Sequence, residues 1–253
     1  MAILTCPCLW IVLGDASYHK EWVYGPEMIN GSQFFSKFMR HGQIFSTVVV
    51  AEYIVLSGHQ PHHNFSYFNA ILIRSSTVNT ENSKLEYLPF ENSVQGRHFL
   101  TFPIRFAGSD IILMTSHLES CKPLSKERKS QFREILLYMR RRRNGVNVIF
   151  GGDTNLRDRE VEAVGGLPNE VLDAWASCGS PHDSEFTWDM SENDNKDMNG
   201  AKPKLRFDRI FLRPAQKGKV VRPRIFTLIG KQRLSGGRFA SDHWGIWLEF
   251  SFD

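Results

Sequence analysis

Apolar residues recur along this chain in short runs broken by polar, turn-forming stretches, the pattern of a protein that layers strands and helices. Strand-like runs recur at Tyr53, Phe68, Phe99, Ile111, Val146, Leu205 and Trp244. Between the Ile111 and Val146 runs the period changes. Phe132, Ile135, Leu136 and Met139 fall at i, i+3, i+4 and i+7, one buried face of a helix over residues 125–143. Ser125 is expected to cap its start, and the arginines at its end complement the helix dipole. The longest polar stretch, residues 191–204, reads as a surface loop inserted before the Leu205 strand. Residues 9–13 are apolar, but no Lys or Arg precedes them, so they are not read as a signal peptide. No apolar stretch is long enough to span a membrane.

The length of 253 residues allows one large domain, and neither a low-complexity linker nor an internal repeat divides it. A net charge of +4 permits an anionic partner without establishing one. Charge clusters more tellingly between Lys122 and Arg143, ending in Arg140-Arg141-Arg142-Arg143. A solvated helix end is the preferred reading over a dedicated nucleic-acid patch, and the run also has the look of a nuclear localisation signal. Cys6, Cys8, Cys121 and Cys178 make no metal framework and suit a reducing compartment. His59, His62 and His63 are read as part of a polar loop, because no partner ligand is evident.

Candidate chemistry sits at three strand boundaries. The first follows the buried run 146–150 and reads Gly-Gly-Asp-Thr-Asn-Leu-Arg-Asp-Arg-Glu-Val over residues 151–161. Asp153 can take a proton from water, Asn155 can hold that carboxylate or the water, and Arg157 can grip a phosphate oxygen. Alone, this run could still be a structural turn, with Gly151 and Gly152 allowing a tight bend, although the catalytic reading is preferred. The second boundary carries Ser116, His117, Leu118, Glu119 and Ser120, and the third carries Asp242 and His243 before the run 245–252. An Asp–His pair beside a strand suggests an imidazole oriented by a carboxylate.

These residues resemble the endonuclease/exonuclease/phosphatase superfamily, and within it the 5′-tyrosyl-DNA phosphodiesterases. The similar segments are Ser66-Tyr67-Phe68-Asn69-Ala70-Ile71, 114–120, 152–161, Gly165-Gly166-Leu167-Pro168-Asn169 and Phe186-Thr187-Trp188-Asp189. Lys204-Leu205-Arg206-Phe207-Asp208-Arg209-Ile210-Phe211 and the run 237–245 follow, so the likeness extends from about Tyr53 to the C-terminus. The run Asp-Thr-Asn-Leu-Arg-Asp-Arg-Glu is more specific than the superfamily's shared Gly-Asp-x-Asn. It favours the tyrosyl branch over the lipid, sugar-phosphate or poly(A) branches.

The resemblance implies a four-layer α/β sandwich, with two mixed sheets face to face, helices outside and catalytic loops at one edge. Residues 53–253 would form the catalytic domain and 1–52 an atypical N-terminal segment. On the family pattern Asp153 activates water, Asn155 orients it or the phosphate, and His117 and His243 donate to the phosphoryl oxygens. Asp242 fixes the tautomer of His243. Residues His117, Leu118, Glu119, Ser120, Cys121 and Lys122, with Asn155, Leu156, Arg157 and His243, would line the DNA 5′ end. Tyr67, Trp188 and Phe207 would add aromatic or adjacent wall positions, although plain core packing is the alternative for Trp188 and Phe207. Arg206, Arg209 and Arg213 could pair with acidic neighbours instead of DNA.

The implied cofactor is Mg²⁺, with Mn²⁺ as a substitute. The implied partners are DNA bearing a 5′-tyrosyl adduct and the topoisomerase II remnant attached to it. The compartment would be the nucleus, with the cytoplasm as a second site, and the chain would act as a monomer. Two other readings stand beside this one: another phosphoesterase of the superfamily, such as an abasic endonuclease or deadenylase, and a metal-deficient DNA-binding relative. The family's Thr-Trp-Asn-Ile-Asp-Gly and Gln-Glu strands, which carry metal ligands, have no counterpart in residues 1–50. Met28-Ile29-Asn30-Gly31 is a faint echo of the first, and Glu52 ends the run Val48-Val49-Val50-Ala51 without matching the second. The metal ligands are therefore unknown from sequence, and weak or absent activity with magnesium is the expectation.

Overall fold

The computed structural model describes residues 9–15, 45–50, 53–58, 67–74 and 77–253. Two sheets dominate. The larger joins β5 (Glu86–Pro89), β6 (His98–Phe106), β7 (Ser109–His117), β8 (Val146–Asp153), β12 (Asp208–Arg213) and β9 (Leu172–Asp173), in the order β5-β6-β7-β8-β12-β9. It is mixed: β7 and β8 run parallel, and the other neighbours antiparallel. A parallel pair needs a crossover connection, and helix α1 (Ser125–Arg140) supplies it. The second sheet is antiparallel, in the order β1 (Leu9–Asp15), β4 (Tyr67–Arg74), β3 (Tyr53–Gly58), β2 (Phe45–Val50). The apolar run near the N-terminus and the run before Glu52 thus flank β4 and β3 as strands.

Alternation along the strands of the larger sheet builds the layers. Leu100, Leu113, Ile149, Ile210 and Leu212 face one way and share a core with Leu56, Ile71 and Ile73 of the second sheet. The paired strands β13 (Val221–Ile229) and β14 (Gly245–Phe252) add Val221, Phe226, Ile246 and Leu248 to that core. Phe99, Met114, Val148, Phe150 and Phe211 face the other way and meet Phe132, Ile135, Leu136 and Met139 of α1. The helical period read from sequence therefore marks the buried face of α1, and the α/β sandwich with face-to-face sheets is borne out. Short elements complete the chain: α2 (Asp158–Ala163), α3 (Ala174–Ser177), and a two-stranded ribbon of β10 (Trp188–Asp189) and β11 (Lys204–Leu205).

Several local expectations change. Gly151 and Gly152 lie within β8, opposite Ile210 and Arg209, and form no bend. The N-cap of α1 is Leu124, and the hydroxyl of Ser125 donates instead to the Glu160 carboxylate of α2. Helix α1 stops at Arg140, which pairs with Glu170 at 2.7 Å, while Arg142 lies over the Tyr138 ring at 3.9 Å. Arg213 is spent on the carbonyls of Arg142, Arg143 and Val146, at 3.1, 3.1 and 2.8 Å. Its partners are backbone carbonyls and not the acidic neighbours expected.

Candidate active site

Strand register assembles the site. His117 ends β7, Asp153 ends β8 and Asp208 begins β12, and the pairing sets His117 beside Asp153 and Asp153 beside Asp208. Three adjacent strands thus deliver an imidazole and two carboxylates at one level of the sheet edge, on rigid backbone. A fourth group arrives from the segment before β14, where His243 places Nδ1 2.7 Å from Asp208 Oδ2. His117 Nε2 lies 3.2 Å from Asp153 Oδ2.

The connecting loops are tied to each other by main chain. Leu118 N–H donates to the Asp153 carbonyl at 2.9 Å, and Asn155 Nδ2 donates to the Leu118 carbonyl at 3.3 Å. Asn155 has φ of 51°, a left-handed turn that Asn tolerates better than most residues, and its N–H donates to Asp153 Oδ1 at 2.9 Å. Thr154 donates to the Phe207 carbonyl through both N–H, at 2.8 Å, and Oγ1, at 2.7 Å. Thr187 binds the other side: its hydroxyl accepts from Asp208 N–H at 2.9 Å and its carbonyl from Trp244 N–H at 2.7 Å.

Burial and charge push the four groups apart in pKa. Burial, helped by the charge of Arg97, holds His117 well below the ordinary histidine value, so its ring is neutral. Burial would also lower His243, but the charge and hydrogen bond of Asp208 prevail and raise it, favouring the imidazolium. Asp153 is raised by burial, with the nearby Asp208 charge adding to it. Burial would raise Asp208 as well, yet the His243 charge and the hydrogen bonds from His243 and Thr187 help to hold it below the ordinary carboxylate range. Titratable groups separated in this way suit acid and base roles at one pH.

Asp208 is the residue that the sequence reading passed over. The role expected of Asp242, orienting His243, falls to Asp208, and the Asp242 carboxylate meets Lys196 at 3.4 Å. The signal was available: an acidic residue heads a strand within the segment 204–211 that carries the family likeness. Ligand atoms of Asp153, Asp208 and His243 lie within 4.8 Å of one another, a group able to hold a metal ion. Two carboxylates suit a hard divalent cation that keeps several waters. Imidazole Nδ1 is already engaged by Asp208, so the carboxylates are the better donors. Glu52, residues 28–31, His59, His62, His63, Cys6, Cys8 and the Tyr67 side chain lie outside what the structure describes.

The other expected substrate residues divide by burial. His117, Ser120, Cys121, Lys122, Asn155, Arg157 and His243 keep exposed surface around the site. Leu118 and Leu156 are fully buried, and the buried Glu119 carboxylate accepts from Ser93 Oγ, Val94 N–H and Gln95 N–H at 2.7, 2.6 and 3.0 Å. Trp188 and Phe207 are 7% and 8% exposed, pack together at 5.4 Å between ring centroids, and each lies 6.3 Å from the His243 ring. They form a wall beside the imidazole, and Arg157 lies 5.7 Å over Phe207. Arg206 and Arg209 do meet acidic partners, pairing with Asp173 and Asp158 at 2.7 Å each.

A buried ion pair joins the two loops. Arg128, from α1, donates Nη1 to the carbonyls of Glu119 and Cys121, both at 2.9 Å, and Nη2 to Glu160 at 2.6 Å. The second oxygen of Glu160 accepts from Arg157 N–H at 2.9 Å. Neither Arg128 nor Glu160 stands out in the amino-acid pattern as a site residue.

Comparison with known proteins decides the family. No family model matches the chain. Tyrosyl-DNA phosphodiesterase 2 of Bos taurus is 41% identical over 196 residues, 78% of this chain and 52% of that protein. A crystal structure of D. rerio TDP2 complexed with single-strand DNA product superposes with a TM-score of 0.73 at 36% identity, covering 88% of this chain and 90% of that one. The chain belongs to the tyrosyl-DNA phosphodiesterase 2 family. A truncated Caenorhabditis elegans TDP2 structure agrees, with a TM-score of 0.65 at 32% identity and coverage of 80% and 81%. The chain spans about half the length of the curated tyrosyl-DNA phosphodiesterase 2 proteins it matches.

Proposed function

We propose that this chain is a divalent-metal-dependent phosphodiesterase that hydrolyses the bond between a tyrosine oxygen and a 5′ phosphate of DNA. The observation that carries the reading is the convergence of His117, Asp153 and Asp208 from three paired strands with His243 on Asp208. Asp153, with its raised pKa, takes the proton of the attacking water, and Asn155 orients that water or the phosphate. His243, its pKa raised by Asp208, donates to a phosphoryl oxygen, and His117, held towards the neutral form by burial, donates to another. Asp153 and Asp208 would hold Mg²⁺, with Mn²⁺ as a substitute. The ion supplies neutralisation of the charge that builds on the phosphoryl group. Asp208 also revises the expectation of weak activity, because it adds an acidic donor that the sequence reading left out.

The DNA 5′ end would lie along Ser120–Lys122 and Asn155–Arg157, with Trp188 and Phe207 as the wall. That placement is supported by the exposed Lys122, the half-buried Arg157 and the relative that carries a single-strand DNA product. The adduct fits a topoisomerase II remnant left on a cut strand, which puts the protein in DNA repair, in the nucleus and secondarily in the cytoplasm. It would act as a monomer, with residues 53–253 as the catalytic domain. A 5′-phosphotyrosyl oligonucleotide tests the reading: release of tyrosine is expected with magnesium. Cleavage of abasic or poly(A) substrates in its place would sink it. Among the described residues no helix is long and apolar enough to cross a membrane.

A further inference from the structure

The polar stretch between β10 and β11 has no part in the chemistry above, yet its first residues lie against the segment that brings His243 into the site. Two kinds of contact join them. Three ion pairs sit at the surface: Lys231–Glu192 at 3.5 Å, Arg233–Asp194 at 3.0 Å and Lys196–Asp242 at 3.4 Å. Exposed pairs of this kind are screened and hold little. The second kind is part-buried. Asn193 is 1% exposed and donates Nδ2 to the Ser241 carbonyl at 2.9 Å, while its Oδ1 accepts from Asn195 N–H at 3.1 Å. The Asn195 amide then meets both main-chain groups of Phe239, donating to its carbonyl at 2.7 Å and accepting from its N–H at 3.0 Å.

These bonds continue into the site. The Ser241 hydroxyl accepts from His243 N–H at 3.1 Å, and the next residue, Trp244, donates its N–H to the Thr187 carbonyl. We infer that Asn193 and Asn195 form a latch that positions His243 for hydrolysis, by fixing the backbone of residues 239–241 from which its loop departs. Both are positioning residues, since each acts through main chain and neither belongs to the Asp153–Asp208–His243 group. Loss of either amide would leave part-buried main-chain groups of Phe239 or Ser241 without these partners, whereas loss of a surface charge removes only a screened ion pair. The inference rests on the phosphodiesterase reading for its consequence in catalysis, but the latch itself is readable without activity.

The test compares wild type with Asn193→Ala, Asn195→Ala, Asn195→Asp, and the surface variants Glu192→Gln and Asp194→Asn. Asn195→Asp keeps the acceptor for Phe239 N–H but sets a carboxylate oxygen against the Phe239 carbonyl, so it breaks that bond without opening a cavity where the alanine variants fold poorly. Amide hydrogen exchange at His243 and Trp244 should quicken roughly tenfold or more in the latch variants and stay within about twofold in the surface variants. In 5′-tyrosyl oligonucleotide cleavage, kcat should fall roughly tenfold or more in the latch variants with KM little changed. Unchanged exchange in all three latch variants, or equal quickening in the surface variants, would overturn the latch. A wild-type chain that cleaves no tyrosyl oligonucleotide would count against the phosphodiesterase reading, and the exchange rates would still decide the latch.

Discussion

His243 directs its Nδ1 at Asp208, 35 residues earlier in the chain and 2.7 Å away, and not at its sequence neighbour Asp242. The contact exists because Asp208 begins a strand whose register sets it beside Asp153. The carboxylate that holds His243 and the proposed proton acceptor, Asp153, are therefore carried by one strand pair. Asp208→Asn should keep the shape of the site and leave His243 without the charge that raises its pKa. Loss of an orienting carboxylate costs roughly a hundred- to ten-thousand-fold in turnover in comparable sites. Single-turnover cleavage rates with circular dichroism on the same samples check this, and a rate within about threefold of wild type would remove Asp208 from the chemistry.

Asp153→Asn should lower turnover by several orders of magnitude with the fold intact. The amide is close in shape but accepts no proton, so the loss belongs to the chemical step. The thermal midpoint and the KM for the oligonucleotide should both stay near wild type. A matched fall in stability and rate would mean that Asp153 holds the β8 end together and does nothing more.

Stability should fall in acid through Glu160. Burial would raise its carboxyl, but hydrogen bonds from Arg128 and Ser125 hold its pKa down to about 2, from an ordinary 4.5. A depressed carboxylate stabilises the folded state fully above the unfolded value, and that contribution disappears as pH falls from about 4.5 towards 2. That contribution is at most about 3 kcal/mol, less what solvent screens. Urea unfolding at a series of pH values should show the decline in wild type and a flatter acid limb in Glu160→Gln. Parallel acid limbs for the two proteins would contradict the assignment.

Phe132→Ala should cost about 3–5 kcal/mol of stability. The ring is fully buried on the face of α1 that packs against the six-stranded sheet, 5.2 Å from the Phe211 ring. Denaturant midpoints measure the loss, and a change below about 1 kcal/mol would show that α1 is not seated on the sheet as described.

Much of the fold is legible in sequence because period follows burial. Phe132, Ile135, Leu136 and Met139 mark one side of α1, and the β-branched run 146–150 marks a strand buried on both faces. The strand at 221–229 is not legible in sequence because Arg222, Pro223 and Arg224 interrupt its apolar pattern and only Val221 and Phe226 are buried. At the site, Asp153, His117 and His243 are readable because chemistry-bearing residues stand at strand ends. Asp208 is harder to see, since its meaning lies in the antiparallel register of β8 and β12, which no local pattern specifies. Glu119 errs the other way: its place in the motif suggested substrate contact, but its carboxylate turns inward to hold residues 93–95.

The most direct measurement is single-turnover cleavage of a 5′-tyrosyl oligonucleotide by residues 1–253 across a magnesium titration, with Asp153→Asn alongside. The account predicts release of free tyrosine and a 5′-phosphate end that saturates with magnesium, vanishes on chelation, returns on adding the ion back and is absent from the variant. No tyrosine release at any magnesium or manganese concentration, or equal release by wild type and Asp153→Asn, would contradict it.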